Sequence, residues 1–106
     1  ELVKRIAKRE INTTNNYSGT FFYCFALEDL TIEGTIANNI NLQNSPLTKV
    51  SIESVISALS ETVGATLTLN KQAVINAFGS IDAPEWIEVI TPKSNQYNGK
   101  WTISLI

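Results

Sequence analysis

The side chains that could perform acid–base catalysis in this sequence are carboxylates that lie close together in the chain. Glu28, Asp29 and Glu33 form one group, and Glu85 and Glu88 form another. Two carboxylates can hydrolyse a glycosidic bond when burial keeps one of them protonated. The sequence pattern puts the first group on or beside an open strand face and the second on the outside of a helix. Neither group therefore favours a glycosidase.

The sequence lacks the residues that usually carry out nucleophilic or metal-dependent catalysis. The chain has no histidine, so a serine or cysteine nucleophile has no imidazole base. Cys24 lies in the apolar segment FFYCFAL with no second cysteine, and we expect a buried structural thiol. The glycine-containing segments 31–34 and 62–66 lack the lysine of a phosphate-binding loop. We predict that the chain is not an enzyme and has no catalytic residue, cofactor or metal ion.

The composition predicts one globular domain. The 106 residues are 43% hydrophobic and 17% charged, with a net charge of −2. This balance excludes disorder, and no apolar run approaches the ~18 residues that span a bilayer. The eight basic residues form no broad patch, so nucleic acid is not an expected partner. The chain starts at Glu1 and contains no methionine, which favours a processed or excised piece of a longer protein.

The N-terminal segment ELVKRIAKRE predicts a short amphipathic helix with one basic face. That face could contact a membrane or an acidic partner, but a solvated face or the tail of a preceding unit explains it as well. The following segment, INTTNNYSGT, has the composition of a loop.

Four short segments alternate between polar and apolar residues, as strands with one buried face do. Segments with helical spacing separate the last three, and strands joined by helices run parallel when the crossovers are right-handed. We predict an α/β fold with one mostly parallel sheet, strands in sequence order and helices on one face. The four segments are LTIE at 30–33, INLQ at 40–43, TLTL at 66–69 and TISL at 102–105.

Three helices are predicted between these strands. The second spans 71–78 and ends at Gly79, and the third begins at 82–84 with an acidic cap and a proline. The first begins after the N-cap residue Thr48 and ends at Gly64, with one apolar stripe: Ile52, Val55, Ile56, Leu59 and Val63.

The outward positions of the strands place short hydrogen-bonding groups in rows about 4.8 Å apart. Such a platform is shallow and almost uncharged, which suits contacts with a sugar or a peptide. The alternative is that threonine and serine simply favour exposed strand faces. The candidate ligand face consists of Thr31, Glu33, Asn41, Gln43, Thr66, Thr68, Thr102 and Ser104.

Two segments resemble a known family. FFYCFALEDLTI, with the spacing Leu27-x-x-Leu30-x-Ile32, resembles the repeat of the BspA-like bacterial leucine-rich repeat proteins. The segments 41–78 and 85–106 resemble the less regular strand and helix region that closes such arrays. Only one clear repeat precedes this region, and the KSNQYNG loop is longer than the family's turn. The resemblance implies a short leucine-rich-repeat-like solenoid.

The resemblance also implies a function. We expect a single domain, 1–106, with a basic segment and loop (1–20), repeat-like strands (21–44) and a closing segment (45–106). The implied function is a non-catalytic binding or adhesion module on a bacterial cell surface or phage particle, with a protein or glycan partner. The alternative is a structural C-terminal cap that seals the open edge of a longer repeat array.

The aromatic residues could suggest sugar stacking, but their positions indicate otherwise. Trp86 shares a helical face with Ile87 and Ile90, and Trp101 has the inward phase of the last strand. We therefore predict that both tryptophans are core residues and that Tyr97, on a loop, is exposed.

Overall fold

In the computed structural model, the described residues form an α/β fold of five strands and three helices. The structure describes residues 5–11, 19 and 21–106, and of 5–11 only the backbone. In chain order the elements are β1 (Arg5–Ile11), β2 (Asp29–Gly34), β3 (Ile40–Leu42), α1 (Lys49–Ala58), β4 (Thr66–Leu69), α2 (Lys71–Phe78), α3 (Pro84–Ile90) and β5 (Thr102–Leu105).

All strand pairs between these elements are parallel, as the sequence predicted. β3, β4 and β5 form a three-stranded sheet in that order, with Ile40, Leu67 and Ile103 in register. The prediction of one sheet is wrong, because β2 pairs with β1 in a separate two-stranded sheet. At the end of β2 the chain turns through Gly34, whose φ of +103° suits a residue without a side chain.

The N-terminal helix predicted for the first ten residues is also wrong where the structure describes the chain. Residues 5–11 are strand β1, paired in parallel with β2. A short segment with mixed periodicity takes the conformation in which its backbone groups find hydrogen-bond partners. Here the edge of β2 supplies those partners. Residues 1–4 of the predicted helix, and positions 12–18 and 20 of the predicted loop, lie outside the described residues.

Helix α1 begins as predicted and ends earlier. The Thr48 hydroxyl accepts a hydrogen bond from the Ser51 backbone N–H. The helix stops at Ala58 because Leu59 is extended and forms a parallel bridge with Ile36. Val63 is therefore exposed, and Gly64 does not cap the helix. The other four residues of the predicted stripe are buried: Ile52, Val55, Ile56 and Leu59.

Helix α2 has the predicted bounds, and α3 begins within the predicted range, at Pro84. The Asn70 side chain caps α2 by accepting from the Ala73 N–H, and Gly79 ends it with a φ of +95°. Pro84 occupies the first turn of α3, but the N-cap residue is Ala83 and makes no side-chain bond. The predicted acidic cap residue, Asp82, is exposed.

One hydrophobic core lies between the sheets and the helices. Trp86 and Trp101 are both buried in it, and Tyr97 is 46% exposed, so the predictions for these three aromatic residues are confirmed. Cys24 has a free thiol and is half-buried at the margin of the core, rather than fully buried. Among the described residues no helix is long and apolar enough to cross a membrane.

Candidate functional site

The structure places the eight residues of the candidate ligand face on two sheets. Thr31 and Glu33 are exposed on β2, in the two-stranded sheet. The other six share the face of the three-stranded sheet opposite the buried Leu67 and Leu69. We call these six the polar face: Asn41, Gln43, Thr66, Thr68, Thr102 and Ser104.

Strand register arranges the polar face in rows. Asn41, Thr68 and Ser104 are aligned across all three strands, and Thr66 is aligned with Thr102. The alternation of polar and apolar residues predicts that these six side chains share a face, and strand pairing determines which of them are aligned. The chain therefore brings hydroxyl and amide groups together without a charged side chain among them.

Hydrogen bonds fix the rim of the polar face. The Asn41 amide nitrogen donates to the Gln43 amide oxygen at 3.0 Å, and the Gln43 backbone N–H donates back to Asn41 Oδ1 at 2.9 Å. On the opposite strand, Asn95 Nδ2 donates to Thr102 Oγ1 at 2.9 Å. Asn95 belongs to the loop before β5, and sequence reasoning did not identify it.

The centre of the polar face holds a hydroxyl that has no partner among the described residues. Thr68 is 8% exposed, and no hydrogen bond joins its hydroxyl to another residue in the described part of the chain. The hydroxyls of its neighbours Thr66 and Ser104 are likewise free of side-chain bonds within residues 21–106. A buried hydroxyl without a partner costs free energy, and a bound polar molecule could recover it.

The second notable feature is the edge of β2 that does not face β1. The Leu30 backbone N–H donates to Ser51 Oγ at 2.9 Å, and the Ile32 N–H donates to Ser54 Oγ at 3.4 Å. Both serines lie on α1, so the helix supplies acceptors where a further strand would supply carbonyl groups. The sequence signal is a pair of serines one turn apart beside the buried stripe, which apolar periodicity alone does not reveal.

Backbone groups at both ends of α1 complete this contact. At its start, the Thr48 N–H donates to the Glu28 carbonyl at 2.9 Å. At its end, the Ile36 N–H donates to the Ala58 carbonyl and the Ile36 carbonyl accepts from the Ser60 N–H, both at 2.8 Å. Helix α1 therefore runs along β2 and covers the strand edge from Glu28 to Ile36.

The carbonyl end of α1 is held by a buried lysine. Lys93 is 8% exposed, and its ammonium donates to the carbonyl oxygens of Ser57, at 3.3 Å, and of Leu59. The last carbonyls of a helix have no partner within it, and a cation there also interacts favourably with the helix dipole. No sequence pattern indicates this role, because Lys93 lies in a predicted loop.

A cleft of about 450 Å³ lies between the first turns of α1 and α2. Its apolar floor is formed by Leu47 and Ala73, and its rim includes Lys49. Lys49 pairs with Glu85 across the helices, and this hydrogen bond raises the pKa of the lysine despite partial desolvation. The ion pair is exposed to water, so its contribution to stability is small.

The acidic residues considered for catalysis are distributed as the sequence suggested. Glu28 and Asp29 are half-buried at the start of β2, and Glu33, Glu85 and Glu88 are exposed. Within the described ranges, no group of three or more histidine, cysteine, aspartate or glutamate residues is placed to hold a metal ion.

No protein-family model, curated protein or solved structure matches this chain.

Proposed function

We propose that this chain is the non-catalytic closing segment of a leucine-rich-repeat-like array, in which α1 ends the β1–β2 sheet. The observation on which this rests is the pair of bonds from the Leu30 and Ile32 N–H groups to Ser51 and Ser54. A strand edge with free N–H groups invites pairing with another chain, and covering the edge with a helix prevents it.

The strand arrangement supports the same proposal. Parallel strands joined by helices, together with the resemblance to BspA-like repeats, fit a short solenoid that needs a final unit to protect its core. The two serines match the polarity of the covered edge, whereas an entirely apolar helix would leave the two strand N–H groups buried without partners. The proposed setting is a bacterial cell surface or a phage particle.

The test removes the acceptors from α1. In the double variant Ser51→Ala and Ser54→Ala, we expect a loss of about 2–4 kcal/mol in unfolding free energy, since two strand N–H groups lose their partners. We also expect increased self-association. Ser57→Ala is the matched control, because Ser57 is exposed on the same helix. If the double variant unfolds and associates like the control, α1 does not seal the edge.

A second function, binding of a neutral glycan to the polar face, is favoured by the Thr68 hydroxyl, for which the described residues offer no partner. Hydroxyl and amide groups in rows match the donors and acceptors of a sugar, and none of the six residues is charged. A protein partner would use the same face through its backbone amides. The chain would then act as an adhesion or binding domain.

The glycan test replaces the Thr68 hydroxyl by a methyl group. We expect the parent chain to bind a neutral oligosaccharide on a glycan array and Thr68→Val to bind at least tenfold more weakly. Thr31→Val, on the other sheet, should bind like the parent. If no glycan binds, or if both variants bind equally, the polar face is not a sugar site.

A further inference from the structure

The outer edge of β5 is unpaired over part of its length within the described chain. The Thr102 N–H donates to the carbonyl of Ala65, the residue before β4, and the Ile106 N–H donates to the carbonyl of Leu69 in β4, both at 3.0 Å. Because the backbone groups of a strand alternate in direction, those of Ile103 and Leu105 point away from β4. No described strand pairs with this edge.

The start of the same edge is already occupied, which defines the open part. The Trp101 N–H donates to the Lys93 carbonyl at 2.8 Å, and the Trp101 carbonyl accepts from the Asn95 backbone N–H at 2.7 Å. The backbone groups of Trp101 point away from β4 in the same direction as those of Ile103 and Leu105. The edge therefore already forms strand-type hydrogen bonds at its beginning. The outward donors and acceptors of these two residues continue this row.

An open groove of about 280 Å³ lies beside these two residues. Ile103 and Leu105 are only partly buried, as are Ile81 and Ile87 on the opposite wall. The hydrophobic core is therefore accessible at this end of the three-stranded sheet. A further strand along β5 would place its own apolar side chains against the groove.

The lack of charged side chains on this strand indicates which partner fits it. The segment WTISLI, 101–106, contains no charged residue and no proline, the usual features that keep strand edges apart. Of the described residues that line the groove, Asp82 alone is charged. When two identical strands pair, a strand that carries charges of one sign brings like charges together across the interface. This strand carries none, so a second copy is the complementary occupant.

We propose that two copies of this chain pair antiparallel through β5 and join their three-stranded sheets into one. With the two-fold axis at Ser104, Ile103 lies opposite Leu105 of the second copy, and the two such pairs exchange four hydrogen bonds. Ser104 then faces its counterpart across the axis, with Cα atoms about 4.5 Å apart. The two grooves merge, which covers the exposed parts of the four isoleucine and leucine side chains. This pairing does not depend on the closing role of α1.

The first test is cysteine crosslinking in a Cys24→Ser background. Ser104→Cys should form a disulfide-linked dimer under mild oxidation, because its counterpart lies directly opposite. Thr102→Cys is the matched control: it is exposed on the same face of the strand, but the pairing places it roughly 13 Å from its counterpart. It should remain largely monomeric. Equal crosslinking of the two variants, or none at Ser104→Cys, would overturn the pairing.

The second test measures mass in solution by sedimentation. The parent chain should be a dimer, and Ser104→Lys should be a monomer with an unchanged circular dichroism spectrum, because two lysines would face each other at the axis. Thr31→Lys, on the other sheet, should remain dimeric. A monomeric parent at its highest soluble concentration, or a Ser104→Lys variant that stays dimeric, would refute the proposal.

Discussion

At the residue scale, two side chains from the end of the sequence hold the carbonyl end of α1. The indole N–H of Trp101 donates to the Ser60 carbonyl at 2.9 Å, and the ammonium of Lys93 donates to the carbonyls of Ser57 and Leu59. These oxygens lie where the helix can no longer supply partners. The last segment of the chain therefore stabilises the helix that covers β2.

Replacing Trp101 by alanine should lower the unfolding free energy by about 3–5 kcal/mol, since it leaves a large cavity in the core. Denaturant unfolding measures the loss. Tyr97→Ala, at a partly exposed aromatic residue, should cost far less. A Trp101→Ala variant as stable as the parent would show that the indole is not a core residue.

Lys93→Met should cost about 1–3 kcal/mol, because buried carbonyl oxygens lose a charged donor while the apolar length of the side chain is kept. Lys100→Met is the control, since Lys100 is exposed. In thermal unfolding, Lys93→Met should have a clearly lower melting temperature than Lys100→Met. If they melt at the same temperature, the ammonium does not hold the end of α1.

The Lys49–Glu85 pair predicts a small alkaline effect. The hydrogen bond to Glu85 raises the pKa of Lys49, so its stabilisation is present below the unfolded value of 10.5 and is lost as pH rises through the higher folded value. Lys49→Met should remove this part of the decline in stability above pH 10.5. An unchanged alkaline profile in the variant would exclude the pair as its source.

At the element scale, the sequence predicted those elements whose local signals agree with their surroundings. Alternation identified β4 and β5, and periodicity located α2 and α3, together with Gly79 at the end of α2 and Pro84 at the start of α3. The sequence did not reveal that β1 is a strand, because strand pairing with β2 is a long-range contact that local periodicity does not report. For the same reason the predicted end of α1 is too late: the bridge from Leu59 to Ile36 ends the helix.

The candidate site was predictable to a similar degree. Alternation identified all six residues of the polar face, but not the division of the strands between two sheets. The roles of Ser51, Ser54 and Lys93 depend on which backbone groups face them in the fold. A sequence pattern shows that such side chains are polar, not what they bind.

The loop between α1 and β4 depends on a glycine for packing. A Cβ atom on Gly64 would lie 2.1 Å from the backbone carbonyl oxygen of Lys100. We expect Gly64→Ala to destabilise the chain by about 1–3 kcal/mol, as overpacked sites do, measured by denaturant unfolding. Because the obstacle is backbone, adding Lys100→Ala should not restore stability. Full rescue by that second change would contradict the contact.

At the scale of the whole molecule, the two sheets end differently. The edge of β2 is covered by a helix with matched polar groups, whereas the edge of β5 keeps outward backbone groups that no described strand pairs, beside an open groove. The first arrangement opposes further strand addition, and the second permits it. The chain therefore combines a closed edge, a neutral polar face and a surface for self-pairing.

The covered edge of β2 is tested most directly by amide hydrogen exchange measured residue by residue with NMR. We expect the Leu30 and Ile32 amides to be protected in the parent and to exchange much faster in the Ser51→Ala and Ser54→Ala double variant. The Ile36 amide should stay protected in both, since it donates to the backbone carbonyl of Ala58. Rapid exchange of Leu30 and Ile32 in the parent, or protection unchanged in the double variant, would contradict the sealing of this edge by α1.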